Sequence, residues 1–174
     1  MKHIEIFENF GTEISLINPS DNDEIVDILF EVFGFIDDKE EIKSKISKRL
    51  NNNLSIKIKY NGKIVGCYLL AEKSVNDFIE SIEKDQISDF RKNDTKINID
   101  YKLSDNGLQG ISLAILPEYR NLNLGKKLKE YTYNLGYDYI WGVQDKKLKN
   151  IDFWKNSRNV FAESSNRYAT IKIF

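Results

Sequence analysis

The sequence has very few of the residue types that build crosslinks and metal sites, with one cysteine and one histidine among its 174 residues. A single cysteine, Cys67, excludes an intramolecular disulfide. With only one histidine, His3, the chain also has too few ligands for a His/Cys metal cluster. The sequence therefore argues against zinc chemistry and His-based catalytic triads, and it predicts no metal.

The chain also lacks a large charge of one sign, because 26 basic and 27 acidic residues leave a net charge of −1. Nucleic-acid binding proteins usually carry a basic field, so nucleic acid is not expected as the main ligand. No stretch approaches the roughly 18 apolar residues of a membrane span, and the first ten residues lack the apolar core of a signal peptide. The expected location is the cytoplasm, with no membrane partner.

The apolar fraction, 41%, is large enough for one hydrophobic core in a chain of this length. No internal repeat, linker or low-complexity tract divides the sequence. We therefore expect a single domain over residues 1–174, with an insertion or extended connection around residues 74–107.

Apolar periodicity predicts both strands and helices along the chain. The first helix is expected to start at a capping box of Ser20 and Asp23 and to end at Gly34. Asn61 and Gly62 predict a type I′ hairpin turn. The remaining helices are expected at residues 38–50, 74–91, 124–135 and 148–156, and the strands at residues 2–7, 13–17, 54–60, 63–71, 96–103, 108–116, 137–143, 160–163 and 168–174.

The central feature is residues 111–128, ISLAILPEYRNLNLGKKL, which read as a strand, a tight turn and the start of a helix. The first N–H groups of a helix have no intrahelical partner and lie at the positive end of the helix dipole. They form a natural cradle for phosphate groups. The stretch therefore predicts a phosphate-bearing ligand, although an ordinary connection capped by Gly125 would have a similar sequence.

The order of elements around this turn resembles the GNAT N-acetyltransferase family. Its motif is Arg or Gln, two residues, Gly, one residue, then Gly or Ala, after a strand and a proline. The chain matches at Pro117, Arg120, Gly125 and the following Lys-Lys-Leu, and it departs at Asn123, where the first glycine belongs. Asparagine adopts a positive φ at a cost below about 1 kcal/mol relative to glycine, so the turn can be retained.

The resemblance implies an α/β (α+β) GNAT fold, with a central mixed, mostly antiparallel sheet, helices on both faces and a splay at the fourth and fifth strands. It implies acetyl-CoA as co-substrate, with the thioester in that splay. Backbone groups of Leu113 and Ile115 would pair with the pantetheine arm. Arg120 would contact phosphate, Asn150 would contact the pantetheine, and Trp154 would pack on the core or under the cofactor. The N–H groups that would hold the pyrophosphate belong to Asn121, Leu122, Asn123, Leu124, Gly125 and Lys126.

The catalytic residues of the family have no clear counterparts. The acid is commonly a tyrosine after the fifth strand, where this chain has Trp154, so either Tyr131 or Tyr133 replaces it or the thiolate leaves unassisted. The family often has an acidic base near the fourth strand, and Asp105 is the nearest candidate. An aspartate in Ser-Asp-Asn-Gly is more often a simple turn residue.

Charge is unevenly spread along the chain. Residues 19–42 contain nine acidic residues and one lysine, whereas residues 106–150 contain seven basic and four acidic residues. In the family, the first two helices line the acceptor side, so the acidic segment would attract a cationic amine. A solvated acidic helix face is the alternative interpretation. The extra segment at 74–107 would then form a cover on the acceptor side or a homodimer contact.

The resulting expectation is an acyltransferase that moves an acetyl group directly from acetyl-CoA to a cationic primary amine, on a small molecule or a protein. The alternative is a non-catalytic or regulatory CoA-binding domain, because Asn123 and Trp154 both depart from the family pattern.

Overall fold

The computed structural model describes residues 11–34, 43–44, 46–47, 54–99, 103–147 and 159–174. Its α-helices of two or more turns are α1 (Asn22–Phe33), α2 (Val75–Glu83) and α3 (Leu124–Tyr131). Short 3-10 helices cover Pro19–Asp21, Lys92–Asp94, Pro117–Leu122 and Thr132–Asn134. The strands are β1 (Thr12–Leu16), β2 (Ile56–Tyr60), β3 (Lys63–Glu72), β4 (Lys96–Ile97), β5 (Gly107–Ile115), β6 (Tyr139–Asp145), β7 (Asn159–Glu163) and β8 (Arg167–Ile173).

The strands form a mixed sheet in the order β1-β2-β3-β5-β6-β8-β7-β4. Strands β5 and β6 are parallel, whereas the β1–β2, β2–β3, β6–β8, β7–β8 and β4–β7 pairs are antiparallel. This arrangement confirms the predicted mixed, mostly antiparallel sheet.

The contacts between residues divide the chain into two compact units, one of residues 1–71 and 112–135 and one of residues 72–111 and 136–174. The single domain over 1–174 stays a prediction.

The first unit packs α1 and α3 with the hairpin of β2 and β3. Its hairpin turn has φ values of 50° at Asn61 and 81° at Gly62, as a type I′ turn requires, so this prediction is confirmed. Apolar residues at helical spacing in α1 and in the strands of this unit are buried. The fully buried members include Ile25, Leu29, Ile56, Ile58 and Leu128.

The second unit has an aromatic core in which Phe78 of α2 lies 4.8 Å from Trp141 of β6, between ring centroids. Phe90 and Phe161 pack edge-on against the same Phe78 ring. The hydroxyl of Tyr139 accepts a hydrogen bond from the N–H of Val75 and therefore holds the start of α2 against β6. Large aromatic rings bury enough apolar surface to form the core of such a unit.

Strand β5 contributes its first five residues to the second unit, where it pairs with β6. The parallel ladder runs from Gly107 opposite Tyr139 to Gly110 opposite Gly142. In the part of the chain that the structure describes, no ladder pair follows Gly110, although β6 continues to Asp145. This early end of the ladder agrees with the splay that the family resemblance implies.

The predicted start of the first helix is wrong in its details. Pro19 begins a 3-10 turn, and α1 starts only at Asn22. The N–H of Asn18 donates to the carboxylate of Asp21 at 2.7 Å, so the capping interaction lies two residues earlier than the predicted Ser20–Asp23 box. The end at Gly34 is confirmed, with φ 59° and a hydrogen bond from its N–H to the carbonyl of Phe30.

Other elements are shorter than predicted. Helix α2 ends at Glu83 because Asp85 adopts a positive φ of 54°, which helical residues do not have. Helix α3 ends at Tyr131 and continues as a 3-10 turn. Of the strand predicted at 96–103, residues 100–102 lie outside the described residues, and among the others only Lys96–Ile97 form a strand, followed by one further hydrogen bond from Asn98 N–H to the carbonyl of Phe161.

Several predictions lie outside the described residues. They include the strand at 2–7, the helix at 148–156, and the candidate residues Asn150 and Trp154. Of the helix predicted at 38–50, only residues 43, 44, 46 and 47 are described, and they are helical. Within the described ranges, no helix has both the length and the apolar composition needed to cross a membrane.

Candidate functional site

The predicted strand, turn and helix at residues 111–128 are present, and the turn lies within the first unit. Strand β5 ends at Ile115, and the N–H of Leu116 then bonds the carbonyl of Val65 in β3 at 2.9 Å. Pro117 starts a 3-10 helix whose fixed φ suits its first position. Helix α3 follows at Leu124, so a short 3-10 turn connects the strand to the helix.

Asn123 is the N-cap residue of α3 and has a left-handed conformation, with φ 57° and ψ 18°. Its carbonyl accepts the N–H groups of Lys126 and Lys127, each at 3.1 Å. The side chain is exposed and forms no capping hydrogen bond. The prediction that asparagine provides the positive φ of the missing glycine is confirmed.

The N–H groups of Leu124 and Gly125 belong to the first turn of α3 and have no partner within the helix. Residues 120–123 are exposed, so an anion can approach this end of α3 from solvent. Gly125 lies inside the helix, which contradicts the alternative in which it caps the connection. A Cβ at Gly125 would lie 3.4 Å from the Cδ2 of Leu113, an ordinary contact distance.

The side chain of Arg120 folds back onto the strand that precedes the turn. Its Nε donates a hydrogen bond to the carbonyl oxygen of Ile115 at 3.3 Å. The residue is exposed, so its guanidinium stays next to solvent at the mouth of the turn. The contact with a phosphate that the resemblance implies stays a prediction.

The two lysines of α3 that follow Gly125 have different surroundings. Lys126 is exposed and lies 3.7 Å from Glu130 one turn later. Lys127 is half-buried and donates from Nζ to the hydroxyl of Thr12 in β1 at 3.0 Å. Lys127 therefore ties α3 to the sheet, whereas Lys126 contributes positive charge at the exposed end of the helix.

The two candidates on β5 lie beside the turn. Ile115 is buried, and its carbonyl already accepts the Arg120 hydrogen bond. Leu113 is half-buried, and its side chain lies alongside Gly125. Their pairing with a pantetheine arm stays a prediction.

Tyr131 and Tyr133 follow each other closely at the end of α3 but differ in environment. Tyr131 is buried, and its hydroxyl oxygen has no hydrogen-bond partner among the described residues. Burial raises the pKa of Tyr131. Tyr133 is 37% exposed.

Asp105 lies in the second unit, in the turn before β5. Its carboxylate accepts a hydrogen bond from the side-chain amide of Asn76 at 3.0 Å, and Asn76 also donates to the carbonyl of Leu103. The carbonyl of Asp105 accepts the N–H of Gly107 at 3.0 Å. These bonds are typical of a turn residue, and a catalytic role for Asp105 stays a prediction.

The acidic segment is partly visible on α1. Its solvent face carries exposed acidic side chains at Asp23, Glu24, Asp27 and Glu31. Asp23 forms an ion pair with Lys43, and Asp21 pairs with the buried Lys57 instead of facing solvent. Acidic residues at positions 37, 38, 40 and 41 lie outside the described ranges.

Two contacts of this region were not predicted from the sequence. Lys57 alternates with apolar residues as an exposed strand residue would, but it is buried and paired with Asp21. Tyr119 in the turn packs edge-on against Tyr60 at 5.9 Å between centroids. No local signal marks either pair, because the partners are far apart in sequence.

Over the ranges that the structure describes, no group of three His, Cys, Asp or Glu side chains could hold a metal ion.

Comparisons with known proteins place this geometry in a known fold. No protein-family model and no curated protein matches the chain in sequence. Solved structures do match. The PaiA N-acetyltransferase from Thermoplasma acidophilum in complex with coenzyme A is 14% identical, with a TM-score of 0.61 over 94% of this chain and 99% of that one.

Two further structures agree with this match. The ribosomal-protein-S18-alanine N-acetyltransferase from Escherichia coli is 12% identical, with a TM-score of 0.61 over 93% of both chains. A GNAT-family acetyltransferase from Bacillus cereus is 11% identical, with a TM-score of 0.64 over 93% of this chain and 96% of that one. These similarities show that the chain has the GNAT fold.

Proposed function

We propose that the protein is an N-acetyltransferase that moves an acetyl group from acetyl-CoA to a primary amine with positive charge nearby. The observation that carries the proposal is the turn before α3, which is exposed at residues 120–123 and in which a left-handed Asn123 leads into the N-terminus of α3. The GNAT fold supports it, since a neighbour with the same fold was solved with coenzyme A.

The turn would hold the pyrophosphate through backbone N–H groups. Those of Leu124 and Gly125 are best suited, because the N–H groups of Lys126 and Lys127 already bond the carbonyl of Asn123. A doubly charged pyrophosphate at this helix end also interacts favourably with the helix dipole. Residues 121–123 would contribute further N–H groups, and the pantetheine would follow β5 past Leu113.

The reaction would be a direct transfer. The lone pair of a neutral amine nitrogen attacks the thioester carbonyl carbon, the C–S bond breaks, and coenzyme A leaves as a thiolate. The amine nitrogen loses one proton, and the thiolate accepts one from an acid or from water. Positioning and polarisation of the carbonyl supply most of the rate enhancement in such a reaction.

Tyr131 and Tyr133 are the candidate acids, and the hydroxyl of Tyr131 lacks a hydrogen-bond partner in the described part of the chain. Asp105 is the candidate base, although its bond with Asn76 competes with that role. Asn150 and Trp154 remain proposed cofactor contacts.

The acceptor is proposed to be cationic because the exposed face of α1 is acidic at Asp23, Glu24, Asp27 and Glu31. An amine with a second positive charge, such as a polyamine, an aminoglycoside or a lysine-containing peptide, would be attracted to this face. The attraction between exposed charges is screened by salt, so the acceptor KM should rise with ionic strength.

Isothermal titration with acetyl-CoA tests the cofactor. Binding in the micromolar range is expected, and no binding at high micromolar ligand would exclude the cofactor assignment. A thiol-release assay against polyamines, aminoglycosides and lysine peptides tests catalysis. Cofactor binding without thiol release from any of these amines would exclude transfer to them and favour a non-catalytic CoA-binding domain.

A charge variant tests the acceptor side. The double substitution Glu24→Gln and Glu31→Gln is expected to raise the acceptor KM several-fold at low salt, while the KM for acetyl-CoA is unchanged. The matched control is Glu83→Gln, which removes an exposed acid from α2. If the double variant and the control behave alike, the acidic face of α1 has no role in acceptor binding.

A further inference from the structure

The last peptide group of β5 is held from two sides, and Arg120 supplies one of them. The N–H of Leu116 donates to the carbonyl of Val65 at 2.9 Å, and the carbonyl of Ile115 accepts from the Nε of Arg120 at 3.3 Å. The carbonyl of Leu116 in turn accepts the N–H of Tyr119 at 3.0 Å. These three bonds close the turn onto the end of the strand.

The nitrogen that makes this bond is informative. Nε lies in the stem of the arginine side chain, and its single N–H points at the protein's own backbone. The bond therefore requires an N–H donor at the position of Nε along the side chain. It does not require a positive charge. A contact with phosphate would instead depend on the charge and on the fork of terminal nitrogens.

We infer that Arg120 is a positioning residue of the proposed cofactor site, acting through its Nε bond to the Ile115 carbonyl and not through its charge. This inference rests on the proposed function. The bond spans the turn from residue 115 to residue 120, and Asn123 and the N–H groups of Leu124 and Gly125, which have no partner within α3, follow directly. Losing the bond would loosen the backbone that presents those N–H groups to the pyrophosphate.

Two substitutions distinguish the role of the Nε donor of Arg120 from the role of its positive charge. In glutamine the amide nitrogen occupies the same place along the side chain as Nε of arginine, so Arg120→Gln keeps the donor and removes the charge. In lysine a methylene group occupies that place, so Arg120→Lys keeps the charge and removes the donor. Arg120→Ala removes both.

Acetyl-CoA affinity measured by isothermal titration should depend on whether the side chain at position 120 keeps the donor. Arg120→Gln is expected to bind within twofold of the wild type, whereas Arg120→Lys and Arg120→Ala are expected to bind about fivefold or more weakly, the usual effect of losing one hydrogen bond. In steady-state kinetics the same two variants should show a raised KM for acetyl-CoA with unchanged kcat. Arg91→Gln, which removes an exposed arginine in the second unit, is the matched control and should bind as the wild type.

Three results would overturn the inference. If Arg120→Lys binds normally and Arg120→Gln does not, the charge contacts the ligand. If Arg120→Gln and Arg120→Lys both bind acetyl-CoA as weakly as Arg120→Ala, the donor alone does not account for the affinity. If all three variants bind as the wild type, the bond to Ile115 has no role in the site.

Amide hydrogen exchange over residues 119–126 in the ligand-free protein gives a readout that does not depend on the cofactor. Exchange should be faster in Arg120→Ala and Arg120→Lys than in the wild type and in Arg120→Gln, with circular dichroism confirming that each variant is folded. If the wild type fails to bind acetyl-CoA, the proposed function fails, and exchange still tests the positioning role. Unchanged exchange in Arg120→Ala would overturn that role.

Discussion

Lys57 of β2 and Asp21 of the 3-10 turn before α1 form an ion pair that is largely withdrawn from solvent, with side-chain exposures of 5% and 14%. The carboxylate of Asp21 also accepts the N–H of Asn18 at 2.7 Å. The pair joins positions 36 residues apart in the sequence. It therefore links the start of α1 to the sheet of the first unit.

Asp21→Ala should lower the free energy of unfolding by about 3 kcal/mol, because it leaves the buried Lys57 ammonium without its counter-charge. Urea unfolding at pH 7 measures the loss. Asp23→Ala is the control, since the Asp23–Lys43 pair is exposed and should contribute less than about 1 kcal/mol. Equal losses in the two variants would contradict a buried, energetically important pair.

The same pair predicts a pH dependence. Burial acts to raise the pKa of Asp21, but the hydrogen bonds from Lys57 and Asn18 and the charge of Lys57 outweigh it, so the pKa lies below its usual 3.8. A lowered carboxyl pKa stabilises the folded state above the unfolded pKa, and this contribution disappears as pH falls through the folded value. The stability difference between wild type and Asp21→Ala should be constant from pH 7 to about pH 5 and shrink below about pH 4. A difference that grows on acidification would contradict the prediction.

Cys67 should be unreactive in the folded protein. Burial raises the pKa of its thiol to about 12, and the thiolate is the reactive form. Ellman's reagent at pH 8 should therefore release no thionitrobenzoate from native protein and one equivalent after denaturation, since the chain has one cysteine. Fast native-state labelling would show that Cys67 is accessible.

Gly66→Ala should destabilise the first unit. A Cβ at Gly66 would lie 2.7 Å from the carbonyl oxygen of Ala114 and 2.4 Å from the Cδ1 of Ile115, so β3 or β5 must shift. Such overpacking typically costs about 1–3 kcal/mol in the free energy of unfolding. Gly125→Ala is the matched control, because its nearest contact is at 3.4 Å, and it should stay within about 1 kcal/mol of the wild type. Similar losses in both variants would contradict this account.

Asn123→Gly should fold with a stability within about 1 kcal/mol of the wild type, because both residues accept the observed positive φ. Asn123→Val should lose about 1–2 kcal/mol, since a β-branched residue is strained in that region. Acetyl-CoA should bind Asn123→Gly at least as tightly as the wild type, because a side chain next to the proposed pyrophosphate path is removed. Weakening by more than threefold would show that the asparagine amide itself contacts the ligand.

Local patterns predicted the elements that depend on neighbouring residues. The turn at Asn61 and Gly62, the left-handed Gly34 and the positive φ at Asn123 all follow from conformational preferences of a few consecutive residues. The start of α1 was mispredicted because Pro19 begins a 3-10 turn and Asp21 is bound by Asn18. Propensities alone do not choose between two overlapping caps.

Contacts between distant segments could not be read from the sequence. Lys57 alternates as a surface residue would, and only the fold brings Asp21 close enough to compensate its buried charge. The phosphate contact of Arg120, expected from a motif, stays a prediction, and the bond from its Nε to the Ile115 carbonyl was not predicted. That bond depends on how tightly the turn closes, which the motif does not specify.

The sequence by itself determined the order of the strands and helices that the structure describes and the position of the turn between β5 and α3, because hydrophobic periodicity and backbone preferences act over a few residues. Only the tertiary structure decided which side chains have partners. In the structure, the hydroxyl of Tyr131 is buried and has no hydrogen-bond partner among the described residues. The carboxylate of Asp105 accepts a hydrogen bond from the side-chain amide of Asn76. Hydrogen bonds and ion pairs act over a few ångströms, so they depend on which distant segments the fold brings together.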